Sequence, residues 1–243
     1  MIAGAGITIS NPTFTTNSTA GPAGTFSGGL SSVGFDTGIV LTTGTTACVA
    51  GPNTLDDCAG GGTFSQLSFD FTSTTGNVFF SYVFGSEEYN EFVGSAFNDT
   101  FQLLLDGTNI ALLPGGGGVV SINNVNCTTN SAFYRNNDDS LAGCPTLGIN
   151  IQYDGLTAVL IASGTGLSSG THNFVFRVAD VGDSDYDSGV FIRGGSFASE
   201  PPPPPSAAVP EPASMLLVGS GLAGLAAIAR RRRKEAAGHA GRS

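Results

Sequence analysis

Tryptophan is absent from the 243-residue chain, and charged residues make up only 12% of it. Basic residues are scarcest of all. The first 200 positions hold three, Arg135, Arg177 and Arg193, against seventeen Asp and Glu, a net of −14. Such a field repels phosphate backbones and attracts cations, which argues against nucleic acid as a partner. Apolar positions at helical spacing are missing ahead of the C-terminal tail, so no helices are expected to cover a parallel sheet. Close Cys-x-x-Cys pairs are missing too, and His172 is the lone histidine of that region, which leaves little for a zinc site. His172 falls in phase with Phe174 and Phe176, as a core or edge residue of a strand would, and not as a catalytic base. The GDS at 182–184 lacks a nucleophile elbow, and the GGGG at 115–118 does not sit between a strand and a helix, so neither a nucleophile nor a phosphate cradle is expected. The opening MIAGAGITISNPTF has no basic start followed by an apolar run, so it is not a secretory leader. The remaining features ask for export, so Met1 is expected to lie inside a longer precursor.

What is abundant is glycine, at 36 residues, with much serine, threonine and asparagine. That composition favours many short strands joined by turns. In SQLSFDFTSTTGNVFFSYVFG, Leu67, Phe69 and Phe71 alternate with polar residues, and Phe80, Tyr82 and Phe84 do so again after a turn. The pattern predicts a hairpin. GIVLTTG, TFQLLLDG, NIALLP, VVSINNV, INIQYDG, LTAVLIAS, THNFVFRVAD and GVFIRGGSF are further strand candidates, separated by Gly, Asn, Asp or Pro. About ten short strands without helices predict an all-β fold, an antiparallel, jelly-roll-like β-sandwich over residues 1–199 with its alternating rings in the core. Five consecutive prolines begin the linker at 200–212.

Residues 213–229 carry no charge, and a helix of that length reaches about 25 Å, the lower limit for a membrane span. Arg230, Arg231, Arg232 and Arg233 open the basic tail at 230–243, which the positive-inside rule keeps cytoplasmic. The domain then faces outward. Cysteines fall into two local pairs, Cys48 with Cys58 and Cys127 with Cys144, which read as two loop disulfides formed in an oxidising compartment.

Acidic residues concentrate in two stretches, GSEEYNEFVGSAFNDTF with Glu87, Glu88, Glu91, Asn98 and Asp99, and ADVGDSDYDSG with Asp180, Asp183, Asp185 and Asp187. Each follows a strand, so the two are expected to meet at one end of the sandwich. In an extended segment Asp183, Asp185 and Asp187 would point the same way and repel. Hard oxygen ligands of this kind suit Ca²⁺, the expected cofactor. An EF-hand is excluded, because Ser188 stands where the loop needs glycine and Gly194 where it needs a bidentate glutamate. A rival use of Glu87 or Glu88 with Asp99, or with an aspartate from 183 to 187, is general acid and base in polysaccharide hydrolysis.

Pro210-Glu211-Pro212, the apolar segment and the arginines, in that order, resemble the PEP-CTERM sorting signal of Gram-negative bacteria that secrete exopolysaccharide, although KEAAGHAGRS continues past the usual end. The resemblance implies transient membrane attachment, cutting by an exosortase, and release to the cell surface or matrix. The domain resembles the choice-of-anchor L domain over roughly residues 30–197, through GIVLTTG with GPN, YVFGSEEYNEFVGSAFNDTFQLLLDG, NIALLPGG, VSINNVN, YDGLT and VADVGDSDYDSGVFI. The expected function is a non-enzymatic, structural or adhesive surface protein contacting calcium and exopolysaccharide.

Overall fold

A computed structural model describes residues 2–54, 58 and 61–202. Among them the strands are β1 (Ile7–Thr16), β2 (Ala23–Ser27), β3 (Thr37–Thr42), β4 (Phe64–Ser73), β5 (Val78–Ser86), β6 (Thr100–Leu105), β7 (Thr108–Asn109), β8 (Val120–Ser121), β9 (Tyr134–Asn136), β10 (Gly155–Thr157), β11 (Leu160–Gly164), β12 (His172–Ala179) and β13 (Ser188–Arg193). One antiparallel sheet runs β1-β4-β12-β6-β7, with β8 also on β6. The other runs β2-β3-β13-β5-β10-β9, with β11 also on β5. The fold is a β-sandwich. No described helix is long and apolar enough to cross a membrane. The apolar segment at 213–229, Pro210, Glu211, Pro212 and the arginine cluster lie outside the described residues.

The aromatic alternation of residues 65–84 does form two strands, but they are not a hairpin. β4 bonds to β1 and β12, whereas β5 bonds to β10, β11 and β13. The turn between them carries the chain from one sheet to the other. Two strands with one apolar face each bury those faces more fully when stacked across a sandwich than when laid side by side. Phe80 of one sheet thus meets Phe176 of the other edge-on, with ring centres 5.2 Å apart. Phe197 lies edge-on to both Phe69 and Phe71, each at 5.2 Å. β5 is buried along nearly its whole length, because a second cluster containing Val83, Tyr153 and Phe191 covers the outer face of its sheet. A strand covered on both faces reads as the continuous run VFFSYVFG instead of a strict alternation.

Several expected strands are shorter than predicted. NIALLP keeps Asn109 of β7 and an isolated Leu112–Val119 bridge to VVSINNV, VVSINNV keeps the two-residue β8 on β6, and INIQYDG keeps an Ala50–Ile151 bridge and Gly155 of β10. Asparagine side chains have taken the ladder's place there. Asn124 Nδ2 donates to the carbonyls of Gly117 and Val119, and Asn137 Nδ2 to those of Ile151 and Tyr153. The polar edge strand β1 was not predicted. It is mostly exposed, and its pairing with β4 is broken by a bulge between Ser10 and Thr13, where Asn11 has φ 51° and Pro12 follows.

Three connections cross between the sheets at the same end: residues 43–63, 87–99 and 180–187. Register explains the coincidence. Ser188 pairs with Ser86 and Gly189 with Thr42, while Ala179 pairs with both Phe64 and Thr100. Both expected disulfides are present, Cys48–Cys58 within the first of these arches and Cys127–Cys144 in a separate loop.

Candidate functional site

The arches bring the acidic residues together because each acid sits at a strand end. Glu87 and Glu88 continue β5, Asp99 precedes β6, Asp180 follows β12 and Asp187 precedes β13. Burial there is nearly complete. Glu88 and Asp99 are 0% exposed, Glu87 and Asp187 1%, and Asp180 7%. Buried carboxylates are costly unless they are paired, hydrogen-bonded or neutralised.

Asp187 is well bonded. Oδ1 accepts from Gly44 N at 2.6 Å and Thr43 Oγ1 at 2.8 Å, and Oδ2 from the Tyr153 hydroxyl at 3.1 Å. Two glycines make this reach possible. Gly85 and Gly189 are register partners beneath the Tyr153 ring, and a Cβ on Gly85 would stand 2.8 Å from it. Even so, burial pushes Asp187 up to about 7 against those hydrogen bonds. Burial first, and then the charges of Asp187 and Glu87, holds the Tyr153 phenol far above its ordinary range.

Glu88, Asp180 and Asp99 are worse off. Glu88 accepts no hydrogen bond at either oxygen, nor does Asp180 at normal geometry, and Asp99 uses Oδ1 for Val181 N at 2.8 Å but has no donor of normal geometry at Oδ2. Burial first, then the like charges of Asp99, Asp183, Asp180 and Glu91, pushes Glu88 up to about 8. Asp180 also rises to about 8, through burial and then Asp99 and Asp183, with the nearby Asp183 N–H moderating the effect. Burial lifts Asp99 to about 6 despite help from the Ser188 hydroxyl and Val181 N–H. These groups share one low-dielectric region and raise one another.

The remaining sequence candidates lie around them. Asn98 Oδ1 accepts from Asn123 N at 2.9 Å. Residues 181–187 bend instead of extending, so the aspartates do not share a face: Asp183 is half-buried, Asp185 is exposed and donates its N–H to Asp183, and Asp187 turns inward. An arch must curve to change sheets, which removes the two-residue alternation. Among the described residues no three His, Cys, Asp or Glu side chains stand ready-made around one metal-sized point.

At the opposite end, His172 is buried beside Asp106, with Nδ1 2.6 Å from Oδ2 and Nε2 3.0 Å from the Ser168 carbonyl. An acceptor at each nitrogen favours the protonated ring, and the Ser168 carbonyl and then Asp106 raise its pKa. A second feature escaped the sequence reading, an open cleft of about 660 Å³ lined by residues of three segments, including Asn53, Glu91, Asn137, Asp138, Asp139 and Asp154. The NNDD at 136–139 was the only local signal for it, and the other wall comes from positions far away in sequence.

Matched against models of protein families, residues 208–234 fit the PEP-CTERM protein-sorting motif and residues 1–198 the Choice-of-anchor L domain. Searches of curated proteins and of solved structures found no match. The sorting motif marks an exported protein, processed by a membrane-embedded exosortase, held briefly at the membrane and then located at the cell surface or outside it. Neither family is known for enzymes. With the first 198 of its 243 residues covered, the chain belongs to the choice-of-anchor L domain family.

Proposed function

We propose that the domain is a non-enzymatic structural or adhesive module of the cell surface or matrix, which contacts polysaccharide and whose arches are clasped by a calcium ion. Glu88, Asp99, Asp180 and the half-buried Asp183 are the ligands. One observation carries this reading: the Glu88 and Asp180 carboxylates are buried without a hydrogen bond of normal geometry. A divalent cation satisfies such oxygens and reverses the mutual repulsion that lifts their pKa values. Asp187 is assigned instead to fastening the first arch, since both of its oxygens accept hydrogen bonds there. The ligands close around the ion as it binds, which is usual where metal affinity and local folding are coupled.

Calcium should raise the melting temperature of the purified protein relative to chelator, and calorimetry should register uptake. Glu88→Gln with Asp180→Asn should abolish both responses. Unchanged melting and no heat in the parent protein would leave protons, not calcium, as what neutralises the cluster.

The hydrolase reading draws support from the separation of Glu88, at about 8, from Asp99, at about 6, the kind of split that acid and base partners use. Against it, both residues are fully covered, and a catalytic carboxyl must reach its substrate. New reducing ends released from exopolysaccharide, and lost in Glu88→Gln, would reverse this choice.

A further inference from the structure

We infer that the cleft beside the 87–99 arch binds an oligosaccharide carrying free amino groups. The inference deepens the adhesive reading and rests on it for the class of partner, but not on the calcium clasp. Among the described residues four carboxylates line the cleft, Glu91, Asp138, Asp139 and Asp154, with amides and hydroxyls between them and no Lys, Arg or His. That lining repels uronates, sulfates and phosphates. Among the described residues it also contains no aromatic ring, so the apolar face of a neutral sugar finds no platform there, and affinity comes from hydrogen bonds and charge. The carboxylates come from separate places in the chain: Glu91 from the 87–99 arch, Asp138 and Asp139 from the loop after β9, and Asp154 from the residue before β10. Spaced negative groups alternating with hydroxyl-binding amides suit a chain of sugars with spaced ammonium groups better than a single ion.

The cleft is also built in advance. Asn137, 5% exposed, ties one wall together by donating to the Ile151 and Tyr153 carbonyls at 2.9 Å each and accepting from Ile149 N at 2.6 Å. Asn53 joins the same network, donating to the Asn137 carbonyl at 3.2 Å and to Asp154 Oδ1 at 2.7 Å and accepting from Gln152 Nε2 at 3.0 Å. Asn90 holds Asp138 Oδ2 at 3.0 Å, and, against the opposing effect of burial, the Ser140 and Asn90 hydrogen bonds keep that carboxyl below its ordinary pKa. Groups fixed before binding lose little entropy when a ligand arrives.

The test is calorimetry with hexamers of glucosamine, of N-acetylglucosamine and of a uronic acid, in calcium and in chelator. The glucosamine hexamer should bind at least about tenfold more tightly than the other two and weaken as salt is added. Asp139→Asn with Glu91→Gln, at exposed positions of the rim, should weaken it by about tenfold. Asp138→Asn should do the same, and Asp138→Asn and Asp139→Asn, at positions outside the clasp, should leave the calcium-induced shift in melting unchanged. No binding of the glucosamine hexamer, equal binding of the neutral hexamer, or full affinity in a folded rim variant would overturn the inference. Amine-selective binding without any calcium response would uphold it while removing the clasp.

Discussion

Tyr153 reaches Asp187 because two facing residues have no side chains. A methyl group at Gly189 would collide with the tyrosine hydroxyl and ring, so Gly189→Ala should push Tyr153 off Asp187 and release Gly44 and Thr43 with it. Overpacking of this kind costs about 1–3 kcal/mol, to be read from urea denaturation, and the first arch should become protease-sensitive. The acids themselves were legible as residues, since GSEEYNEF and GDSDYDSG stand out in a chain with so little charge. Their separate fates were not. Asp187 differs from Asp185 through partners 143 and 144 positions away in sequence and a tyrosine 34 away, contacts that no local pattern encodes.

For the strands, alternation reveals which side is oily but not which neighbour supplies the hydrogen bonds. β4 and β5 showed their apolar faces plainly, and the same pattern served a sheet-to-sheet crossing instead of a hairpin. β1 stayed hidden for the converse reason, because an edge strand whose side chains mostly face water has little apolar pattern to display. Asparagine-rich segments were read as strands because their apolar residues are real, while the side chains that cap neighbouring carbonyls act only in the folded chain. The Cys48–Cys58 bridge lies in an arch that also supplies partners to the acids: the Cys58 carbonyl accepts from Asp187 N at 3.3 Å and the Thr63 carbonyl from Asp180 N at 3.1 Å. Replacing both cysteines by serine should therefore do two things. Stability should fall by about 3 kcal/mol on chain-entropy grounds, and the calcium-induced shift in melting should shrink because the arch no longer holds Asp180 and Asp187 in place. Loss of stability with an intact calcium shift would separate the bridge from the site.

Over the whole domain, the acid cluster sets an unusual dependence on pH. Glu88 and Asp180 titrate at about 8 in the folded chain, Asp187 at about 7 and Asp99 at about 6, all above the ordinary carboxyl range. Between pH 4 and pH 8 the folded state therefore holds more protons than the unfolded one, and stability in chelator should decline as pH rises through that window. Glu88 faces Asp99, Asp180, Asp183 and Glu91, so each ionisation makes the next one harder. The distant His172–Asp106 pair acts in the same direction, since an imidazole with a raised pKa loses its contribution as pH rises through that value. Melting curves of the parent and of His172→Gln separate the two sources, and calcium should flatten only the part owed to the acids. Stability that rose with pH in chelator would contradict the burial on which the site is built. For the sorting tail, replacing Pro210, Glu211 and Pro212 by alanine should leave the protein in the membrane fraction with its arginine-bearing peptide still attached, as mass spectrometry of the C-terminus would report.

The bulge and Pro12 in β1 have a consequence for life outside the cell. A secreted sandwich accumulates at high local density, where a straight outer strand invites copies to stack into fibrils. Proline offers no amide to a newcomer, and the kink at Asn11 throws the following residues out of step with any incoming chain. The molecule can thus crowd among its own kind while its flank refuses to template them.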